Sequence, residues 1–229
     1  MPDFTPKHRV KILDKAAISH DVNRWTVEKP DGYTFVPGQA THLALDLEGY
    51  RDADRPFTFS SLPNDPTLEF VIKTYPQRDG VTDKLDDVQP GQYLLLDDAA
   101  GGISYQGEGT FIAGGAGVTP FLAIFRQLMA ENKMGNNRLL FANKTADDIF
   151  LKTELEALLG DNIVHLLSDE DAPFAHRGII NKAFLQAHCS GFDSQCFYLC
   201  GPPGMGEGLR QDLMDLGASD EKIIHENWD

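Results

Sequence analysis

The sequence is short of cysteine, of positive charge and of long apolar runs. Its three cysteines, Cys189, Cys196 and Cys200, fall late, separated by six residues and then by three. An odd number clustered in this way predicts reduced thiols rather than a disulfide framework. The gaps match neither the CxxC pairs of zinc sites nor the run of a plant-type iron–sulfur cluster, so no metal is expected. Lys and Arg number 20 against 35 Asp and Glu, a formal net charge of −15. Neither half is a basic arm: residues 1–108 hold 11 basic and 18 acidic side chains, residues 109–229 hold 9 and 17. Nucleic acid and anionic membranes both reward clustered Lys and Arg, so neither is expected as a partner. No stretch approaches the roughly 18 apolar residues of a membrane span. Met1 to Lys15 is polar, with scattered charges, unlike a signal peptide. A soluble cytoplasmic protein is the expectation.

What is present is ordinary globular chemistry: 229 residues, 41% of them hydrophobic and 24% charged. That is enough for one large domain or two modest ones. The first hundred residues alternate at period two. Leu43, Leu45 and Leu47 share one face, as do Leu68, Phe70 and Ile72. Strands are predicted at Arg9–Leu13, Trp25–Glu28, Thr41–Leu47, Phe57–Ser61, Leu68–Thr74 and Tyr93–Asp97, divided by Pro/Gly/Asn/Asp turns. Six short strands punctuated in this way suggest a small barrel or sandwich.

After Gly101-Gly102 the pattern changes. Strands are predicted at Thr110–Ala113, Arg138–Ala142, Ile163–Leu167, Phe197–Cys200 and Lys222–His225. Helices are predicted between them at Pro120–Asn132, Leu151–Leu159, Ile180–Ala187 and Met205–Leu216, with Thr119 as an N-cap. Regular alternation of this kind signals a parallel sheet covered by helices on both faces. The predicted organisation is a β domain over residues 1–104 and an α/β domain with five parallel strands over 105–229.

Three segments carry candidate chemistry. Gly114-Gly-Ala-Gly-Val-Thr-Pro120 follows a strand and opens a helix. Glycines there let amides approach a pyrophosphate, and the helix start is partially positive. Pro120 stands where a third fingerprint glycine would be, so a plain tight turn is the alternative. Arg55-Pro-Phe-Thr-Phe-Ser-Ser61 puts a planar cation, aromatic rings and hydroxyls within seven residues. Such a set can hold a phosphate and a flat heterocycle, or can be an edge strand with a surface arginine. Cys200-Gly-Pro-Pro-Gly-Met205 ends a strand. Read alone, Cys200 is a small buried residue.

Together these segments say more. The order Arg55-Pro-Phe-Thr58, Gly80-Val-Thr82, Gly115-Ala-Gly-Val-Thr-Pro120 and Cys200-Gly-Pro-Pro-Gly-Met205 resembles the ferredoxin–NAD(P)H reductase family over nearly the whole chain. Val71-Ile72-Lys73 and Phe141–Ile149 are similar to the cytochrome reductase and flavodoxin reductase branches. The resemblance implies a six-stranded antiparallel FAD-binding barrel joined to a nicotinamide-dinucleotide-binding α/β domain.

By that resemblance, Arg55 and Pro56 lie at the FAD pyrophosphate, Phe57 stacks on the isoalloxazine and Thr58 hydrogen-bonds near flavin N5. Ile72, Lys73 and Tyr75 line the ribityl and adenine side, and Gly80, Val81 and Thr82 serve the pyrophosphate. Gly115, Gly117, Val118, Thr119 and Pro120 go to the dinucleotide phosphates, and Cys200, Gly201, Pro202 and Met205 to the nicotinamide. Cys200 then positions a ring instead of attacking it. Trp228, in the tail His225-Glu-Asn-Trp-Asp229, covers the flavin, the alternative being a tryptophan in the domain interface. Glu226 helps relay a proton, unless it merely ends the last strand in solvent. Thr58, Cys200, Glu226 and Trp228 form the expected catalytic set.

The nicotinamide is read from charge. A 2′-phosphate needs cations; Lys144, beside Asn143, is one, and Arg177 is a possible second. Asp169-Glu170-Asp171 would repel a 2′-phosphate, and a carboxylate there suits a free 2′-hydroxyl. NADH is expected over NADPH. The electron acceptor is expected to be a small redox carrier (ferredoxin, flavodoxin or cytochrome) or a small molecule. Lys7, Arg9, Lys11 and Lys15 could make a basic docking face, but a solvated strand edge is the expectation. Two rivals remain: a free-flavin reductase, and a non-catalytic FAD or nucleotide sensor.

Overall fold

Period-two patterning builds the first half of the chain. The computed structural model describes residues 6–75, 80–202 and 204–226. The chain divides into one unit ending at Gly102 and a second beginning at Ile103. The first holds strands β1 (His8–Ala17), β2 (Val22–Glu28), β3 (Ala40–Leu45), β4 (Arg55–Thr58), β5 (Thr67–Lys73) and β6 (Tyr93–Leu96), with one short helix, α1 (Val81–Lys84). All pairings are antiparallel, in the order β4-β3-β6-β1-β2-β5. The sheet curls until its two edges meet. Just past β4, the Ser60 amide donates to Glu69 O of β5 at 2.9 Å, so the barrel is nearly closed along a β4–β5 seam.

Inward positions fill the barrel. Val10, Ile12, Trp25, Val27, Leu43, Leu68, Phe70 and Leu94 are at most 2% exposed. Phe59 stacks on Phe35 at 4.3 Å and leans on Phe70 at 5.2 Å. Each such side chain contributes about 2 kcal/mol by leaving water.

The second unit holds β7 (Gly109–Gly114), α2 (Thr119–Ala130), β8 (Arg138–Asn143), α3 (Lys152–Leu159), β9 (Ile163–Leu167), β10 (Ala175–Arg177), α4 (Lys182–His188), β11 (Cys196–Cys200), α5 (Met205–Asp215) and β12 (Ile223–His225). The strands are parallel, in the order β10-β9-β8-β7-β11-β12. Both faces are covered, which explains the nearly continuous apolar runs. Ile112, Leu140, Leu166, Phe197 and Leu199 pack with Leu185 of α4 and Leu209 and Leu213 of α5. Phe111 meets Phe121 and Phe125 of α2 edge-on and stacks on Tyr198 at 4.2 Å.

Three expectations are corrected. The sheet has six strands, not five. The three-residue β10 is too short to show a period, and only its pairing to β9 defines it. Thr119 is not the N-cap of α2. A 3-10 turn over Gly115–Val118 runs straight into the helix, so the cap position falls on Val118. Thr119 is the first helical residue, and its hydroxyl donates back to Ala116 O at 3.0 Å. The helix expected from Ile180 begins at Lys182, where Asn181 accepts from the Phe184 amide at 2.9 Å.

Candidate functional site

From β7 the chain builds outward through β8, β9 and β10, then crosses back to place β11 and β12 on the other side of β7. The strand order therefore reverses between β7 and β11, and ligands of open α/β sheets sit at the carboxyl ends of strands at such a point. Two of the sequence motifs lie there. Ala113 of β7 is paired with Cys200 of β11, so the glycine loop and the Cys200–Met205 segment leave the sheet side by side.

They are pressed together closely enough to need glycine. A Cβ on Gly117 would overlap the Cys200 carbonyl and come 2.7 Å from the Gly201 amide nitrogen. A Cβ on Gly114 would come 2.8 Å from the Pro202 ring and 2.9 Å from Met205 Sδ. Gly115 has φ +52°, a left-handed backbone with open space around it. The 3-10 turn of the loop runs into α2 and the Thr119 amide is taken by Ala116 O, so the amides with no acceptor within this continuous helical run are those at its start, from Gly115. Amides, a helix dipole and absent side chains make a site for an anion that lies against the backbone. Val118 and Pro120 are buried, so Val118 can contribute only its main chain, and Pro120 has no N–H to give.

Next to β7, Asn143 ends β8. It is 9% exposed, and neither its amide nitrogen nor its amide oxygen has a hydrogen-bond partner among the described residues. A buried amide left in this state costs roughly 1–3 kcal/mol, and a ligand with a donor and an acceptor would recover it. This orphaned side chain and the glycine cradle fit a dinucleotide. Beyond Asn143, Lys144 is exposed. Asp169 is also exposed, and its Oδ1 accepts from Ser168 Oγ at 2.8 Å. The Asp169 amide donates to Lys144 O at 2.9 Å, so cation and carboxylate stand on adjoining loops. Arg177 lies on β10 and is exposed.

Cys200 Sγ is 4.0 Å from Glu226 Oε2. Burial, reinforced by the Glu226 carboxylate, pushes the Cys200 thiol far up, so the sulfur is protonated at neutral pH and is no nucleophile. Gly201 and Pro202 are exposed, and Met205 opens α5. Pro203 and Trp228 lie outside the described residues.

In the barrel, the FAD candidates flank the β4–β5 seam. On β4, Arg55 is exposed and Thr58 is 9% exposed. Arg55 Nη1 donates to Asp54 O at 2.6 Å, leaving further guanidinium N–H groups for an anion. Pro56 removes one donor from the strand, and half-buried Phe57 rests against the barrel core. Across the seam on β5, Ile72 points into the core at 3% exposure, so only its main chain can serve a ligand. Lys73 Nζ is held by Asp21 Oδ2 at 2.7 Å, while Tyr75 is 37% exposed. Gly80 precedes α1; Val81 is buried and Thr82 partly exposed. Arg55 and Thr58 on β4 and Lys73 on β5 thus lie on the two strands that border the seam.

The basic face is largely neutralised. Lys7 meets Asp98 at 2.7 Å and Asp97 at 3.1 Å, Arg9 meets Asp46 at 2.7 Å, and Lys15 meets Asp86 at 3.6 Å. Among the described residues no helix is long and apolar enough to cross a membrane. Sequence reasoning passed over Glu170, one acid in a run of three. Its contact with a distant amide leaves no mark in the sequence.

Known proteins share this fold. The family description "Oxidoreductase FAD-binding domain" matches residues 9–105, and "Oxidoreductase NAD-binding domain" matches residues 111–211. The chain is 30% identical to the NADH–cytochrome b5 reductase 1 of Arabidopsis thaliana, over 92% of this chain and 80% of that one. Its fold matches the FAD/NAD-binding domain of a nitric oxide dioxygenase from Vibrio cholerae, with a TM-score of 0.85, 24% identity and coverage of 97% and 98%. It also matches a ferredoxin NADP+ reductase from Neisseria gonorrhoeae with bound FAD and NADP, at 0.82, 21%, 96% and 98%.

Proposed function

Because the chain belongs to the ferredoxin–NAD(P)H reductase family, we propose that it takes its hydride from NADH and hands electrons to a separate acceptor. It is an FAD-containing NAD(P)H-dependent reductase. FAD, when bound, supplies the hydride acceptor and the route by which electrons leave.

The chain's own residues bind and orient. Arg55 grips the FAD pyrophosphate with its planar fork, supported by the amides that open α1 and by Thr82. Phe57 offers a ring face to the flavin, and Thr58 a hydroxyl. Lys73, fixed by Asp21, and Tyr75 line the ribityl and adenine side. The glycine loop and the start of α2 bind the nicotinamide dinucleotide's phosphates. Asn143 satisfies its orphaned amide on the same molecule. Cys200 remains a thiol, and together with Gly201 and Pro202 it provides a surface against which the nicotinamide ring lies. Glu226 relays a proton in this reading, supported by its carboxylate lying 4.0 Å from that sulfur.

The preference for NADH rests on one observation: Asp169 is exposed on the loop after β9, against a single exposed lysine on the adjoining loop. A carboxylate accepts from a 2′-hydroxyl and repels a 2′-phosphate. Asp169→Arg should shift the ratio of kcat/KM values toward NADPH by about tenfold or more; an unchanged ratio contradicts the assignment.

The acceptor is a small carrier protein or a small molecule that is not held by a basic face, since Lys7, Arg9 and Lys15 are already paired. Three unpaired cysteines support a reducing, cytoplasmic compartment.

A further inference from the structure

The acidic run after β9 divides into two jobs. Asp169 is exposed and free to meet solvent or ligand. Glu170 turns back instead, and its Oε2 accepts from the main-chain N–H of Ala146, 24 residues away, at 2.7 Å. Ala146 begins the turn that follows Lys144 and Thr145. That turn is itself closed by a capping box, in which Asp148 Oδ2 accepts from the Thr145 amide at 3.1 Å and from the Thr145 hydroxyl at 2.8 Å. Two main-chain bonds add to the seam between the loops: Ser168 N to Asn143 O at 3.0 Å, and Asp169 N to Lys144 O at 2.9 Å.

The far end of the β9 loop is anchored separately. The Phe174 ring meets buried His165 edge-on at 5.9 Å, and Lys152 Nζ lies 3.6 Å from the Phe174 ring centre. The loop is therefore fastened at Phe174 by ring packing and at Glu170 by a charge-assisted hydrogen bond, with Asp169 beside the second fastening.

We propose that Glu170 is a positioning residue for nicotinamide-dinucleotide recognition, its carboxylate fastening the β9 loop to the β8 loop so that Asp169, Lys144 and Asn143 present one preformed surface. This inference rests on the reading that those residues meet the adenosine side of the dinucleotide. Glu170 itself does not touch the ligand. Its charge is spent on Ala146, which gives it a different task from exposed Asp169 beside it. The bond aligns the ribose-reading carboxylate before binding, so less ordering is required when the nucleotide arrives.

The test compares Glu170→Ala, Glu170→Gln and Ala146→Pro in the FAD-loaded protein. Proline fits at position 146: it starts a turn, and Thr145 already has the extended backbone (φ −130°, ψ 170°) that a following proline requires. Ala146→Pro deletes the N–H and leaves Glu170 in place. Glu170→Ala and Ala146→Pro should each raise KM for NADH, and the dissociation constant of NAD+ measured by calorimetry, by about tenfold. The value of kcat at saturating NADH should hold, and FAD should be retained. Glu170→Gln, which keeps an acceptor oxygen, should restore most of the affinity. The double variant should be no worse than either single one. Amide hydrogen exchange should be slow at Ala146 in the wild type and fast in Glu170→Ala. Unchanged NAD+ affinity in both Glu170→Ala and Ala146→Pro, or fully additive effects, would overturn the proposal. The parent reading fails differently: Asp169→Arg would then leave the NADH/NADPH ratio unmoved, whatever Glu170 does.

Discussion

Cys200 and Glu226 form a half-buried pair in which a thiol, 4.0 Å from a carboxylate, is held in its neutral form. The thiolate is the reactive species. Iodoacetamide at pH 8 should therefore label Cys200 far more slowly in the folded protein than in urea, as read by mass spectrometry. Cys200→Ala should lower kcat by about tenfold through misplacement of the nicotinamide, without abolishing turnover. Rapid labelling, or complete loss of activity with the fold and FAD intact, would restore a covalent role.

Gly117 lies where a methyl group would collide with the Cys200 carbonyl. Backbone would have to move, at a cost of about 1–3 kcal/mol. Gly117→Ala should reduce NAD+ affinity and lower the Tm of the α/β unit while leaving FAD content unchanged. Wild-type NAD+ binding would separate this loop from the nucleotide.

Arg55 is the one arginine on β4, and its fork is only partly used by Asp54 O. Arg55→Ala should weaken FAD binding about tenfold or more, measured as flavin lost on gel filtration. A variant that stays fully yellow after dilution would remove Arg55 from the cofactor.

His165 is 4% exposed, with Glu156 Oε1 3.6 Å from its Nε2 and with Phe141 and Phe174 against its ring. Burial holds its pKa below the ordinary 6.5, although Glu156 pulls the other way and Lys152 adds to the lowering. A lowered folded pKa means that the unfolded chain binds more protons. The contribution to stability is thus fully present above about pH 6.5 and is lost as pH falls through that value toward the lower folded pKa. Urea denaturation between pH 7 and pH 5 should show a smaller loss in His165→Asn than in the wild type. Equal losses would place the titration elsewhere.

Most of the architecture was legible because its determinants are local. Leu68, Phe70 and Ile72 declare a strand by alternation alone, and Phe121, Ile124, Phe125 and Leu128 declare a helix. Two motifs far apart in sequence, Gly114–Pro120 and Cys200–Met205, meet because β7 and β11 are neighbours, a fact of topology. What escaped was short or non-local. β10 has three residues, and the Thr119 cap was displaced by a 3-10 turn that glycines permit. The basic residues near the start are visible in the sequence, but their pairing with Asp97, Asp98, Asp46 and Asp86 depends on which strands adjoin. Glu170 could not be told from Asp169 because only the fold brings Ala146 to it.

The most direct test of the whole account is an anaerobic absorbance titration of the purified, FAD-loaded protein with NADH and, separately, with NADPH. The account predicts that the flavin band bleaches at lower NADH than NADPH. A flavin band that neither nucleotide bleaches would contradict the reductase itself, and bleaching first by NADPH would contradict the reading of Asp169.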